Sequence, residues 1–181
     1  MVTNGRRTSP RPPRAPRTAR GAQSASPASR VDPLTGLPNR EAWADALDTE
    51  RARRARYRRP VVVMNVDIDG LKATNQRFGR AAGDELLRGA AGVLRRNLRD
   101  ADLVARIDED EFGVLLPETY GDAMDGIVSR LYGAFAMWRG SQEELRLSVS
   151  IGWAAPEPFG DLIEAQRAAS AERLQQASER A

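Results

Sequence analysis

The chain has 181 residues, with 28 Lys and Arg, 25 Asp and Glu, and neither His nor Cys. The lack of thiol and imidazole groups excludes cysteine and histidine nucleophiles, zinc sites built from those residues, and disulfides. Catalysis or metal binding must therefore rest on carboxylates, hydroxyls, amides and cations.

The positive charge is concentrated at the N-terminus. Residues 1–30 contain seven Arg, five Pro and no acid, so the formal net charge of +3 becomes −4 once those seven charges are removed. Hardly any large apolar side chain is present to offset the entropy of ordering, which predicts a disordered leader. Such a tail could bind nucleic acid or an acidic partner, but a solvated leader is favoured because it has no aromatic for base stacking.

Neither export nor membrane insertion is predicted. Arg6-Arg7 is not followed by the apolar stretch of about 7–15 residues that an export signal needs. No apolar run approaches the roughly 20 residues that cross a bilayer. We therefore expect a cytoplasmic protein without a membrane span.

The remaining residues predict one domain, 31–181, in which helices and strands alternate. Apolar periodicity and turn residues place helices near 39–59, 82–98, 123–138 and 161–181, and strands at 61–66, 103–107, 112–116 and 145–154. This order predicts an α/β fold, an α+β sandwich with a central mixed sheet flanked by helices.

Carboxylates cluster where two predicted strands meet turns. Asp67 and Asp69 follow the first strand, while Asp110 and Glu111 lie at the tip of a predicted hairpin. Two strand ends of one sheet can assemble the hard oxygen ligands that Mg²⁺ prefers, an arrangement suited to phosphoryl transfer. Solvated turn acids explain the spacing equally well. The single lysine, Lys72, leaves the same strand, where a compact ammonium could hold a phosphate.

Five spaced motifs resemble those of the GGDEF domains, the diguanylate cyclase family of cyclic di-GMP signalling. The family patterns are D-x-L-T-G-L-x-N-R, D-x-D-x-F-K-x-x-N-(x)₃-G-(x)₃-G-D, R-x-x-D, R-x-G-G-D-E-F and S-x-G. In the same order and spacing, the chain has DPLTGLPNR (Asp32–Arg40), DIDGLKATN (Asp67–Asn75) with Gly79 and Gly83-Asp84, RDAD (Arg99–Asp102), RIDEDEF (Arg106–Phe112) and SIG (Ser150–Gly152). The resemblance implies the family's nucleotidyl-cyclase-like palm fold.

The resemblance also implies catalytic and metal-binding roles. Asp67 and Glu111 would bind Mg²⁺ through their side chains, and Ile68 through its backbone carbonyl. Asp110 would assist deprotonation of the attacking 3′-hydroxyl, together with Glu111. Lys72 would contact the triphosphate of GTP. An active enzyme would be a homodimer, because each of two antiparallel domains holds one GTP.

Two further sites follow from the resemblance. Asn75 and Asp84 would read the guanine edge of the substrate. Arg99 and Asp102 would form an inhibitory site for cyclic di-GMP, in which Arg binds phosphate and guanine while Asp pairs with the guanine edge. An ordinary ion pair after a helix is the alternative interpretation of these two residues.

The sequence departs from the family at its phosphate-binding elements. Asp108 and Glu109 replace both signature glycines, which adds bulk and negative charge where a triphosphate should lie. Aligning Leu174 with the family's C-terminal pattern A-D-x-A-L-Y-x-A-K-(x)₃-R puts Ser178 at the phosphate-binding Lys, and the sequence stops before the Arg. Arg180 could substitute in a different helix register.

These departures predict that nucleotide binding outlasts synthesis. We expect a degenerate GGDEF domain that binds cyclic di-GMP, or GTP with Mg²⁺, and has little or no cyclase activity. Two alternatives stay open. One is an active diguanylate cyclase in which Asp108 and Glu109 turn away from the phosphates, and the other is an interaction protein that uses residues 1–30.

Overall fold

The computed structural model describes residues 30–141, 143–156 and 160–180, so the predicted leader lies outside the described residues except for Arg30. Nine regular elements follow one another in this part of the chain, in the predicted alternation with one added helix. They are α1 (Arg40–Tyr57), β1 (Val61–Ile68), α2 (Leu71–Phe78), α3 (Arg80–Asn97), β2 (Leu103–Arg106), β3 (Glu111–Pro117), α4 (Met124–Met137), β4 (Val149–Ala154) and α5 (Leu162–Arg180), with a short 3₁₀ turn at Gly121–Ala123.

The four strands form one sheet in the order β2-β3-β1-β4, and each neighbouring pair is antiparallel. The predicted α/β fold with helices flanking a sheet is confirmed. The prediction of a mixed sheet is wrong, because β3 inserts between β1 and β2. β1 and β2 run in the same direction, but β3 lies between them, so they do not form a parallel pair.

Side chains of β1 alternate between two cores, as a pleated strand requires. Val62, Met64 and Val66 belong to the larger core, which α3 and α4 cover. Val61 and Val63 belong to a smaller core on the opposite face, beneath α1 and α5. By the same alternation, the polar residues Asn65 and Asp67 of this strand point toward α1 and α5.

Glycines allow the helices to approach this second face closely. Asn65 of β1 lies opposite Gly113 of β3 and Gly152 of β4. A Cβ on Gly113 would come within 3.0 Å of the Trp43 ring, and a Cβ on Gly152 would collide with the backbone of α5. Because Gly113 has no side chain, the Trp43 indole can pack on β3. Because Gly152 has none, the backbone of α5 can pack on β4.

Helix α2 lies where the sequence predicts only a loop. It starts after Gly70, which has φ 69°, and ends just before Gly79, which has φ 86°; both angles favour glycine. Leu71 is its one buried residue, so eight residues carry too little apolar periodicity to predict a helix. The predicted strand at 145–154 is also shorter, because β4 begins at Val149.

Within the described ranges, no helix combines the length and apolar character needed to cross a membrane.

Candidate functional site

Three polar side chains, those of Glu111, Asp67 and Ser150, form a row across β3, β1 and β4 on the face beneath α1 and α5. Asp67 near the end of β1 pairs in register with Glu111 at the start of β3 and with Ser150 of β4. Register partners project from the same face, so the two predicted metal-binding carboxylates lie side by side. The backbone N–H of Ile68 donates to the Asp110 carbonyl at 3.0 Å, which ties the hairpin tip to β1.

The guanidinium of Arg173, from α5, lies against both carboxylates of this row. Its Nη1 is 2.8 Å from Asp67 Oδ2, and its Nε is 3.8 Å from Glu111 Oε1. The side chains of Arg173, Asp67 and Glu111 are only 12%, 20% and 18% exposed. The two carboxylates of the row, Asp67 and Glu111, are called the acidic row below. They are paired with a cation that the protein itself supplies.

Several contacts fix α5 above the sheet. Asn65 donates from Nδ2 to Glu111 Oε1 at 2.9 Å and to Ser170 Oγ at 2.5 Å. The backbone N–H of Trp153 on β4 donates to Glu172 Oε2 at 2.7 Å. The turn of helix that carries Arg173 is thus bonded to two strands, which limits how far its guanidinium can move without breaking other contacts.

Burial dominates the electrostatics of the carboxylates. Burial raises the pKa of Asp67 to about 6; the Arg173 cation opposes this, while the charges of Asp110, Glu111 and Asp69 add to it. Burial likewise raises the pKa of Glu111, again against the effect of Arg173. One guanidinium therefore does not offset the cost of burying this much negative charge.

The hairpin between β2 and β3 closes although both signature glycines are replaced. Positive φ occurs among the described non-glycine residues only at Arg58 and Glu118, so neither replacement needs a left-handed backbone. Arg40 donates from Nη2 to Asp108 Oδ2 at 2.6 Å and from Nε to the Ile107 carbonyl at 2.7 Å. The hairpin therefore accommodates both replacements without a strained backbone.

A cavity of about 390 Å³ lies between α2, α3 and this hairpin and contains both predicted guanine-reading residues, Asn75 and Asp84. Gly83 lets the Asn75 side chain rest directly against α3, where a Cβ would collide with its amide oxygen. Glu109 also lines the cavity, whereas the exposed Lys72 does not. The structure brings the two predicted base readers together and sets Glu109, Arg80 and Arg106 beside them.

The two predicted inhibitory residues form a tight turn after α3. The Arg99 backbone N–H donates to Asp102 Oδ2 at 2.8 Å, and the Asp102 N–H donates to the Arg99 carbonyl at 3.0 Å. Burial raises the pKa of Asp102, against the effects of its bond to the Arg99 backbone and of nearby arginines. A cavity of about 270 Å³ beside the turn is lined by Arg95, Arg99 and Asp102.

A family model described as the diguanylate cyclase GGDEF domain matches residues 29–181. The chain belongs to the GGDEF domain family. It is 46% identical over 106 residues to the diguanylate cyclase DgcP of Pseudomonas aeruginosa, a match that covers 59% of this chain. The chain spans less than a third of the length of such curated relatives: 16% of DgcP and 31% of the response regulator PleD of Caulobacter vibrioides.

Solved structures agree with this assignment. The diguanylate cyclase SiaD of Pseudomonas aeruginosa, solved with its activator SiaC, superposes with a TM-score of 0.77 at 30% identity and covers 84% of this chain and 59% of its own. The GGDEF domain of DgcB from Caulobacter crescentus, solved in complex with cyclic di-GMP, has a TM-score of 0.76 at 26% identity and covers 84% of this chain and 91% of its own.

The GGDEF family generally uses Mg²⁺, so the fit of such an ion depends on the oxygens available in this domain. Those of Asp67 and Glu111 face Arg173, and the Asp69 carboxylate accepts bonds from Ser148 at 2.6 Å and from Ser150 at 2.8 Å. Within the described ranges, no three acidic side chains converge as a metal site. In this arrangement the residues do not fit a divalent ion.

Arg173 is the residue of the site that the sequence motifs do not point to. In the C-terminal family pattern aligned on Leu174, the preceding position holds alanine, so a long cation stands where the pattern has a methyl group. A signal was nevertheless present, because Arg173 continues the apolar stripe of α5 at intervals of three and four residues. The buried members of that stripe are Leu162, Ala165 and Ala169.

Helix α5 extends to Arg180, but side chains beyond Gln175 lie outside the described part of the structure. The expectation that Ser178 leaves the domain without its C-terminal phosphate clamp therefore stays a prediction.

Proposed function

We propose that this GGDEF domain serves cyclic di-GMP signalling by binding cyclic di-GMP at Arg99 and Asp102, with little or no synthesis of its own. The observation that supports this most directly is the hydrogen-bonded turn from Arg99 to Asp102 beside an open cavity. Its backbone bonds hold the carboxylate in place, which lowers the entropic cost of binding.

The chemistry of this cavity suits a cyclic dinucleotide. Arg95 and Arg99 offer planar, permanently charged donors that can bind phosphate and the acceptor edge of guanine. Asp102 has a second carboxylate oxygen to accept bonds from a guanine edge. Pockets that enclose a drug-sized ligand measure about 300–1,000 Å³, so a cavity of about 270 Å³ holds only part of the dinucleotide. The rest would lie on the surface.

The expectation of weak synthesis rests on charge at the other site. Glu109 lines the cavity that holds the guanine readers, and Asp108 lies beside it on the hairpin. A carboxylate about 4 Å from a phosphate charge costs between roughly 1 kcal/mol in water and 4 kcal/mol at an effective dielectric constant of 20. One such carboxylate would weaken GTP binding about fivefold to several hundredfold. Arg40, which pairs with Asp108, offsets part of this cost, as do Arg80 and Arg106, which line the cavity with Glu109.

An active cyclase is the second candidate, favoured by the cavity that Asn75 and Asp84 share and by the named activity of relatives such as DgcP. In that case, Glu111 and Asp110 would serve the attacking 3′-hydroxyl and two domains would pair as a homodimer.

Two measurements on one preparation separate these candidates. Calorimetric titration with cyclic di-GMP should show binding that Arg99→Ala abolishes and that the exposed control Arg96→Ala retains. Incubation with GTP and Mg²⁺, followed by mass spectrometry, should show little or no product. Product that disappears in Glu111→Gln would instead identify an active cyclase, and wild-type protein that fails to bind cyclic di-GMP would rule out the receptor role.

A further inference from the structure

The position of Arg173 has a consequence for metal binding at the acidic row. Its guanidinium lies 2.8 Å from Asp67 Oδ2 and 3.8 Å from Glu111 Oε1. These are the two side chains that the family resemblance selects as metal ligands. A divalent ion that used the same oxygens would come into direct contact with a permanently charged arginine.

Arg173 does not reach this place from a mobile loop. It follows Ala169 and Ser170 on α5, whose backbone rests on Gly152 with no room for a methyl group. Ser170 is bonded to Asn65, which is completely buried and also donates to Glu111. The same buried amide thus ties the helix and one carboxylate together beside the guanidinium.

The charges at the row require a cation. Asp67 feels Asp69, Asp110 and Glu111 in addition to its own burial, and Arg173 is the cation that opposes them. An unpaired buried carboxylate is costly. A guanidinium meets this need permanently, because it cannot lose its proton in a protein.

We infer that Arg173 is the resident cation of the acidic row, and that a divalent metal ion enters only when Arg173 withdraws from Asp67 and Glu111. Arg173 thus acts as an internal competitor of the metal. This inference is independent of cyclic di-GMP binding at Arg99, which involves a different surface of the domain.

The test measures Mn²⁺ binding by electron paramagnetic resonance, without any nucleotide. Arg173→Met removes the charge but keeps a long apolar stem, and Arg173→Lys keeps the charge. Arg167→Met is the matched control, since Arg167 is an exposed arginine of the same helix. Unit charges about 4 Å apart attract by roughly 1 kcal/mol in water and about 4 kcal/mol at an effective dielectric constant of 20, so Arg173→Met should bind Mn²⁺ about ten- to a hundredfold more tightly. Arg173→Lys and Arg167→Met should bind as weakly as wild type.

Equal Mn²⁺ affinity in wild type and Arg173→Met would overturn the inference, whether both bind or neither binds. A second readout needs no variant. Because the metal must displace Arg173, saturating Mn²⁺ should speed amide hydrogen exchange in α5 of the wild-type protein. Saturation that leaves α5 exchange unchanged would also refute the competition. Neither result depends on whether the domain binds cyclic di-GMP.

Discussion

Replacing Gly152 with alanine tests how closely α5 is seated on the sheet. The added methyl group would collide with the Ala169 carbonyl and with the backbone of Arg173. These are main-chain atoms of a helix, so no side-chain rotation relieves the contact. Overpacking usually costs about 1–3 kcal/mol, and backbone crowding belongs at the upper end. We expect a loss of about 3 kcal/mol, which lowers the melting temperature of a domain this size by about 6–12 °C.

Chemical and thermal unfolding of Gly152→Ala, followed by circular dichroism, would measure this loss. Gly133→Ala provides the matched control, because Gly133 lies on α4 and a Cβ added there would meet nothing within 4 Å. Alanine is favoured over glycine inside a helix by about 1 kcal/mol, so the control should be slightly stabilised. A Gly152→Ala protein within about 0.5 kcal/mol of wild type, the range usual for inconsequential substitutions, would show that α5 does not rest on this glycine.

Two further predictions concern charge. Asp67 has a pKa of about 6 in the folded chain against an ordinary value of 3.8, so the folded state retains a proton that the unfolded state releases. The resulting stability is complete below about pH 4 and is lost as the pH rises through about 6. At 1.36 kcal/mol per unit of pKa, the loss of stability is about 3 kcal/mol. Thermal unfolding measured between pH 4 and pH 6 should therefore show a smaller decline of the melting temperature in Asp67→Asn than in the wild-type protein. Restoring both signature glycines, with Asp108→Gly and Glu109→Gly together, should strengthen GTP binding at least tenfold by calorimetry; an unchanged affinity would show that these two charges do not oppose the triphosphate.

Local patterns were sufficient to predict the hairpin, and they allowed Asp67 to meet Glu111 without deciding that the two carboxylates do so. A buried apolar strand bounded by acids and two strands separated by four acidic residues place carboxylates at strand ends, but solvated turn acids explain the same spacing, and the strand register decides between them. The relative direction of neighbouring strands could not be predicted, because the sequence does not reveal that β3 inserts between β1 and β2. The result is an antiparallel sheet instead of the predicted mixed one.

The misses at the site share a physical cause. Helix α2 buries only Leu71, so its face carries almost no periodic signal, although the glycines at both ends mark it in retrospect. Arg173 continues an apolar stripe as a charged residue, and such a position usually means the solvated end of a helix. Only the three-dimensional placement of α5 over β1 shows that this cation meets two carboxylates.

The contact between Gly113 and the ring of Trp43 links two positions 70 residues apart in the chain. The indole of Trp43 and the hydrogen atom that is the side chain of Gly113 share one space of fixed volume. Neither position can therefore change in size without a change at the other. A natural variant with alanine at 113 should carry a smaller or differently tilted side chain at 43. A library that randomises both positions should recover folded proteins as compensating pairs, with large side chains at one position matched by small ones at the other.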